Sequence, residues 1–295
     1  MAQDSGTRTL ISHAQLTRGR GRIVYWTLLA VVVTGFTLVF LGPLYWMVTG
    51  ALKSGQEIAQ TPPSLFPQDP QWQNYTDAWN NLDLAKLLFN TFYYAAGAVL
   101  FQLVFDTAAA YALSKLRPIF GNVILGAMLA TLMIPAMVLI VPQYVTVINL
   151  PILHINLLDS PFAIWLPLVA NAFNIFLLKR FFDSIPEDLM AAALMDGATS
   201  LRTLWSIILP MSRPILGVVA IFSVTAVWKD FLWPKLVMPS PETRTVSVGI
   251  YAFAGGTPQN VVIAASVIAA IPTVIIFLIF QRNIMSGLTT GSLKG

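Results

Sequence analysis

The stretch PEDLMAAALMDGATSLRTLWSIILP, residues 186–210, carries four charged side chains although apolar runs of membrane length lie on both sides of it. Proline stands at each end and glycine near the middle. Pro186 suits the first turn of a helix, whereas Pro210 prevents a helix from continuing straight into the next apolar run. The contrast with its neighbours predicts a separate helical unit outside the membrane.

Capping signals divide this unit into two helices. Ser184 and Glu187 have the S-x-x-E spacing of a capping box. Gly197 can adopt the left-handed conformation that ends a helix, and Ser200 can cap the next helix, which has one apolar face. Residues 184–212 are therefore predicted to form a compact helix-turn-helix, which we call the knob. Either the chain's own helices or another protein must cover its apolar face.

The composition of the whole chain indicates a membrane protein. Of its 295 residues, 56% are hydrophobic and 10% are charged, whereas a soluble domain has about a quarter charged residues. The absence of cysteine excludes disulfides, thiolate metal sites and cysteine nucleophiles. With only His13 and His154, we expect no metal site and no catalytic triad, and thus no enzyme. The net charge of +4 fits membrane-protein loops, so no nucleic-acid partner is expected.

Six apolar segments are long enough to cross the hydrocarbon core, which needs about 20 helical residues. They occupy residues 23–49, 87–114, 120–148, 160–178, 214–238 and 261–281. The first is too long for the apolar region of a signal peptide, about 7–15 residues, and is interpreted as a retained anchor. The predicted fold class is an all-α, six-helix membrane protein with a transmembrane domain at 23–285 and tails at 1–22 and 286–295.

The distribution of basic residues predicts the orientation. They precede the first span, follow the second and surround the knob, whereas in the opposite loops six acidic residues outnumber four basic ones. By the positive-inside rule, both termini and the knob, between spans four and five, are cytoplasmic. The outer loop at 50–86 is predicted to be an extended strap followed by a short helix at Tyr75–Leu84. Its Trp72, Tyr75 and Trp79 fit an interfacial aromatic belt or a docking surface for an external partner.

Polar side chains inside the spans are candidates for a solute pathway, because a charge in the membrane interior costs about 2.5–3.5 kcal/mol. Asp106 faces either a pathway or a polar group of a neighbouring helix. Lys229 could pair with Asp230 or Asp106, extend outward, or favour an acidic or highly hydroxylated solute. Aromatic faces beside charged groups in WKDFLWP (228–234) suit a sugar, although interfacial anchoring also explains the tryptophans. The candidate pathway residues are Asp106, Asn171, Asn174, Trp228, Lys229 and Asp230.

Three prolines lie within the predicted spans. Pro135, Pro142 and Pro167 each remove a backbone hydrogen bond and can kink the helix that carries them. Membrane helices also contain proline for packing, so these positions do not decide the function.

Several segments carry a family resemblance. In order, they are YALSKLRPIFG (111–121), MIPAMVLIVPQY (133–144), the knob segment AAALMDGA (191–198), WKDFLWP (228–234) and SGLTTGSLKG (286–295). Together they resemble the membrane subunits of ATP-binding-cassette (ABC) importers, of the maltose-permease type, over most of residues 24–295. The resemblance implies that residues 23–285 are a permease domain and that the knob is its EAA loop.

In that family the knob is a coupling helix that sits in a cleft of a cytoplasmic ATPase. The resemblance implies Gly197 as the turn and Ala192 and Ala193 as the close-contact face. The family's glutamate falls on Ala191, while Glu187, about one turn earlier, either supplies the charge or caps the helix. The implied coupling residues are Glu187, Ala191, Ala192, Ala193, Asp196, Gly197, Ala198, Leu209 and Pro210. The implied second ATPase contact is the C-terminal tail, through Gly287, Gly291, Lys294 and Gly295.

The resemblance also implies the partners: a second homologous permease, two ATPase subunits and an external solute-binding protein, in a bacterial plasma membrane. The chain has no phosphate-binding G-x-x-x-x-G-K-[ST] motif. We therefore expect it to bind no cofactor and the partner ATPase to use the ATP. It would form half of a sugar pathway, whose helices move when the ATPases close. The alternative is a self-sufficient secondary transporter of a small polar solute, which should show repeated halves and a coupling-ion site.

Overall fold

The computed structural model describes residues 19–289, with side chains over 21–280, and every regular element in this range is helical. The all-α class is therefore confirmed. The helices are α1 Gly19–Ala51, α2 Gly55–Ile58, α3 Gln73–Asn81, α4 Leu84–Tyr111, α5 Gly121–Thr131, α6 Ala136–Ile148, α7 Phe162–Leu168, α8 Ala172–Asp183, α9 Glu187–Met195, α10 Ser200–Thr203, α11 Leu209–Met211, α12 Arg213–Lys229, α13 Leu232–Val237, α14 Val246–Ala254 and α15 Gln259–Thr289. Two π-helical turns, Ala112–Leu116 and Leu204–Ile208, extend α4 and α10.

Three helical stretches are long and apolar enough to cross a membrane alone. They are Gly21–Ala51, Leu84–Leu116 and Gln259–Phe280. These stretches coincide with the first, second and sixth predicted spans. The prediction of a long apolar helix is confirmed at these three places.

The other three predicted spans are not continuous helices. The angle is 103° between α5 and α6 and 49° between α7 and α8. A further bend of 82°, between the helix over Ser200–Met211 and α12, precedes the predicted fifth span. Pro135 stands immediately before α6 and Pro167 lies inside α7, so each removes a backbone donor near a break. The number of apolar crossings is three, or up to six if each bent pair crosses once.

The span predicted at 214–238 is interrupted for a different reason. Its first helix, α12, ends at Lys229, and Asp230 takes an extended conformation before α13 begins. Two adjacent ionisable side chains therefore mark the break. Pro142, in contrast, lies inside α6 without ending it.

The first and last long helices meet at one corner of the molecule. Ala51 at the end of α1 belongs to the same buried cluster as Ala264 in α15. The amide of Asn74 donates to the backbone carbonyls of Ala51 (2.9 Å) and Lys53 (3.0 Å), and it accepts from Asn260 at 2.7 Å. The 50–86 loop thereby joins the end of α1 to the start of α15.

The short helix in this loop is displaced from its predicted position. It is α3, which ends at Asn81 rather than Leu84. Asp83 follows with φ of 48° and separates α3 from α4. The residues between α2 and α3 are non-helical, in agreement with the predicted strap.

Helix α4 occupies the centre of the fold. It packs against α12, α8, α7 and α14. Small residues allow this close approach: a β-carbon added at Gly97 would lie 2.2 Å from the Trp165 ring of α7. Both candidate sites contain residues of α4 or of the π-helical turn that continues it.

Candidate functional site: an exposed knob and a polar cavity

The knob consists of two helices that are joined at Gly197. This glycine has φ of 72°, in the left-handed region. Its N–H donates to the Leu194 carbonyl at 3.0 Å, and the Ala198 N–H donates to the Ala193 carbonyl at 2.9 Å. These two bonds form a Schellman motif, which satisfies the last carbonyls of α9. The predicted turn at Gly197 is confirmed.

Both predicted helix caps are wrong. The Ser184 hydroxyl donates to the Phe181 carbonyl at 2.6 Å instead of capping α9. Because Pro186 delays the start of α9, Glu187 is the first helical residue rather than the third, which a capping box requires. The second helix is capped by Thr199, not Ser200, since the Thr199 hydroxyl accepts the Arg202 N–H at 3.3 Å.

The second helix of the knob has one buried and one exposed apolar side. Leu204 and Ile208 are 7% and 0% exposed and pack in a cluster with Phe182 of α8. Leu201 and Trp205 point away and are 69% and 68% exposed. The chain's own helices therefore cover only half of the apolar surface that the sequence predicts.

The tip of the first knob helix is also exposed and apolar. Leu194 and Met195 are 72% and 89% exposed. Among the alanines, Ala193 is buried at 5%, whereas Ala191 and Ala192 are exposed. The four most exposed large apolar residues of the knob, which we call the knob tip, are Leu194, Met195, Leu201 and Trp205.

Polar contacts attach the knob and the adjoining end of α8 to the end of α4 and the π-helical turn that follows it. The sequence predicts none of them, because about 70 to 90 residues separate the partners along the chain. They are Tyr111 Oη to the Ser200 carbonyl (3.0 Å), Ser114 Oγ to Asp183 Oδ1 (2.7 Å), Lys115 Nζ to the Ile185 carbonyl (2.9 Å) and an exposed ion pair of Arg117 with Glu187. Glu187 is thus engaged by an arginine of the same chain.

A cavity of about 380 Å³ lies where α4, α8 and α12 meet. Amides, a hydroxyl and aromatic rings contribute to its wall, and no ionisable side chain is among its lining residues within the described part of the chain. The polar and aromatic lining residues are Gln102, Asn171, Phe173, Asn174, Phe222 and Ser223.

The polar lining is held by Asp106, which is fully buried behind the wall. Its carboxylate accepts the backbone N–H of Asn171 at 2.9 Å and the side-chain amide of Asn174 at 3.2 Å. The Asn174 amide also donates to Gln102 Oε1 at 3.1 Å, and Ser223 Oγ donates to the same oxygen. Asp106 therefore accepts a hydrogen bond from the Asn171 N–H, which has no helical partner at the break between α7 and α8. It also fixes the orientation of the Asn174 side chain in the cavity wall.

Sequence reasoning identifies three of these five polar residues. It finds Asp106, Asn171 and Asn174 but misses Gln102 and Ser223. One signal for Gln102 is available in the sequence: it precedes Asp106 by four residues and therefore lies on the same face of α4. Ser223 carries no such signal, because serine is common in membrane helices.

The other three predicted pathway residues lie elsewhere. Trp228 is 8% exposed, and its indole donates to the Ala269 carbonyl at 3.1 Å. Asp230 accepts the Trp233 N–H at 3.3 Å at the break after α12. Lys229 is exposed, and within residues 21–280 no ion pair joins it to Asp230 or Asp106. None of the three lines the cavity.

Two further expectations concern metal binding and the contact made by the C-terminal tail. Within residues 21–280, no three histidine or carboxylate side chains come together in a way that could hold a metal ion. Gly287 falls within α15. Gly291, Lys294 and Gly295 lie outside the described residues.

Comparison with known proteins identifies the class of molecule. Residues 102–289, more than half of the chain, match the family described as "Binding-protein-dependent transport system inner membrane component". The chain is 33% identical to the sulfoquinovosyl glycerol transport system permease protein SmoH of Agrobacterium fabrum, over 86% of this chain and 88% of that protein. It is 32% identical to the sn-glycerol-3-phosphate transport system permease protein UgpE of Yersinia enterocolitica, over 85% and 91% of the two chains.

A solved structure agrees with these relatives. The chain superposes on a subunit of a bacterial ABC transporter involved in the import of the acidic polysaccharide alginate, with a TM-score of 0.79 and 26% identity. The match covers 90% of this chain and 98% of that one. The matching family consists of transport permeases and is not an enzyme family. The chain therefore belongs to the binding-protein-dependent transport system inner membrane components, as a multi-pass permease subunit of an ABC importer in the bacterial plasma membrane.

Proposed function

We propose that this permease forms half of the pathway for a hydroxyl-rich, sugar-like solute. The main observation that supports this proposal is the cavity between α4, α8 and α12. Amide and hydroxyl groups can both donate and accept hydrogen bonds, as sugar hydroxyls do, and aromatic faces pack against sugar C–H surfaces. Phe173 and Phe222 supply such faces beside Gln102, Asn171 and Ser223. The names of two relatives point the same way, since sulfoquinovosyl glycerol and alginate are carbohydrates.

The proposed topology has six crossings, with both termini and the knob in the cytoplasm. Three continuous apolar stretches, the two bent pairs α5–α6 and α7–α8, and the apolar helix α12 support six crossings. The accumulation of arginine and lysine before the first stretch and around the knob supports the orientation. Under this topology the permease domain spans 23–285, and the knob is a coupling helix between the fourth and fifth crossings.

The knob is proposed to dock into a separate ATPase that uses the ATP. Its tip presents four apolar side chains that the described residues leave exposed, and such a patch marks an interaction site. Ala191, where the family has a glutamate, is exposed on α9 and available to this contact. The proposed assembly contains two ATPase subunits, a second permease and an external solute-binding protein, and the family description names binding-protein dependence. The tail through Lys294 is proposed as a further ATPase contact.

Purification and transport together test this function. We would isolate the tagged chain from its native membrane, identify the associated proteins, and reconstitute the sample in vesicles with a mixture of neutral and acidic oligosaccharides. The expected result is co-purification of an ATPase and a second permease, with ATP-dependent uptake of a carbohydrate. A chain that purifies alone and moves solute without ATP would contradict the proposal and favour a secondary transporter.

A further inference from the structure

Helix α4 connects the two candidate sites directly. Gln102 and Asp106 hold the cavity wall, and Tyr111 contacts the knob. Asp106 and Tyr111 are five residues apart, which corresponds to about 7.5 Å along the helix axis. The π-helical turn with Ser114 and Lys115 continues α4 without a break. One uninterrupted helical segment therefore carries contacts to both sites.

The helices that flank the knob in sequence are less rigidly joined to it. Helix α8 ends at Asp183, and the three residues that precede α9 are not helical. On the other side, the helical axis turns by 82° at Ser212 before α12 begins. The backbone therefore does not pass a displacement of the knob along its own axis in line to either neighbour. Leu204 and Ile208 share one apolar cluster with Phe182 of α8 and Val218 of α12. The contact with α4 adds direct hydrogen bonds to this packing.

This contact is partly buried and combines polar with apolar groups. The side chains of Tyr111 and Ser114 are 6% and 1% exposed, whereas their partner residues Ser200 and Asp183 are exposed. Tyr111 also belongs to the apolar cluster that contains Leu204 and Ile208 of the knob. Because this apolar packing accompanies the partly buried hydrogen bonds, the knob and the end of α4 should move together. The exposed ion pair of Arg117 and Glu187 adds little, because water screens it.

We infer that Tyr111, Ser114 and Lys115 are positioning residues that pass a movement of the knob to α4, and through α4 to the cavity wall. The inference rests on the proposed docking of an ATPase on the knob. The inference also assigns a role to the π-helical turn at the end of α4. Such a role is in keeping with the frequent occurrence of π-helical turns at functional sites. The turn directs Lys115 to the Ile185 carbonyl at the start of the knob and Ser114 to Asp183, the last residue of α8 before the knob.

The chain offers a direct reporter for this role, because it has no cysteine of its own. In Ala226→Cys, the cysteine lines the cavity wall at an exposed position of α12. The complex with its ATPase is purified with this reporter, and the rate of labelling by N-ethylmaleimide is measured with and without ATP plus vanadate. We expect nucleotide to change the rate about fivefold or more, as for other coupled sites.

Three test variants are compared: Tyr111→Phe alone, Lys115→Met alone, and the pair together. Their matched controls lie at the other end of α4: Tyr93→Phe, at a half-exposed tyrosine, and Lys86→Met, at an exposed lysine. The expected result is that the pair retains the ATPase on purification but loses most of the nucleotide response at Ala226→Cys. The single variants should show intermediate responses, and the controls should respond as the parent does.

Two results would overturn the inference. One is an undiminished nucleotide response in the paired variant. The other is loss of the ATPase from both single variants, which would show that these residues only shape the docking surface. A parent complex without an ATPase, or without any nucleotide response, would instead contradict the proposed function itself.

Discussion

The knob and the cavity are built from contacts of very different range. In the knob, the bonds that shape the turn join residues three to five positions apart, such as Gly197 to Leu194 and Thr199 to Arg202. In the cavity, Asp106 binds a residue 65 positions away, and Ser223 contacts a residue 121 positions away. A local motif can specify the turn of the knob, whereas the cavity exists only after three helices have packed.

The largest effect is expected from a substitution that breaks the turn at Gly197. Proline fixes φ near −65°, so Gly197→Pro cannot adopt the observed φ of 72° and also removes the N–H bonded to Leu194. We expect a cost of about 3 kcal/mol or more at the turn and loss of the ATPase on purification. Gly197→Asn is the control, because asparagine tolerates the left-handed conformation. Retention of the ATPase by Gly197→Pro would contradict a role of the turn in docking.

The next prediction concerns packing between helices beside the cavity. Gly97→Ala places a methyl group 2.2 Å from the Trp165 ring, which is held by a bond from its indole to the Tyr94 carbonyl at 3.0 Å. Overpacking of this kind should cost about 1–3 kcal/mol and lower the thermal unfolding temperature of the purified protein.

A second helix glycine supplies the control for Gly97→Ala. Gly126 lies inside α5 with open space around its α-carbon, so Gly126→Ala should stabilise the helix by about 0.5–1 kcal/mol. Equal effects of the two substitutions would show that the close approach of α4 and α7 does not limit stability.

A smaller effect is expected from the removal of one polar contact of the cavity, between Ser223 and Gln102. The single hydroxyl hydrogen of Ser223 is shared between Gln102 Oε1 and the Val219 carbonyl of its own helix, which lies 2.9 Å away. Among the described residues, Ser266 makes only the equivalent bond within its helix, to the Val262 carbonyl at 2.9 Å. Ser223→Ala should therefore destabilise the protein more than Ser266→Ala, by about 0.5–1.5 kcal/mol in chemical denaturation. Equal losses would mean that the contact with Gln102 contributes nothing.

The smallest effect lies in a loop and depends on pH. Burial raises the pKa of the Asp159 carboxyl, but hydrogen bonds from Thr243 and Ser240 and the charge of Arg244 outweigh this effect, so the pKa is lowered. The stabilisation is therefore complete above the unfolded value of about 3.9 and is lost as the pH falls through the lower folded value.

The pH prediction is checked by comparing unfolding temperatures of the parent and Asp159→Asn. The parent should be the more stable at about pH 6, and the difference should shrink only below about pH 4. Lys229→Gln is a suitable control, since it changes charge at an exposed position without an ion pair among the described residues. A constant difference down to about pH 3 would contradict the assigned role of the carboxylate.

The range of the contacts also explains which parts of the structure could be predicted from the sequence. Apolar length alone located the three continuous helices, and Gly197 located the turn. Pro135, Pro142 and Pro167 were named as possible kinks, but α6 continues through Pro142, so the sequence could not say which proline lies near a break. The bond from the Trp228 indole to the Ala269 carbonyl of α15 was not predicted, because the two residues are 41 positions apart.

The corner at which α1 meets α15 has a consequence for biosynthesis. Asn74 there joins the end of the first helix to Asn260, so the corner contains residues that leave the ribosome at opposite ends of translation. Chains are synthesised and begin to fold from the amino terminus. The first helix can enter the bilayer unaided, because a helix satisfies its own backbone hydrogen bonds. It must then wait for nearly the whole polypeptide to be made before it gains its last neighbour.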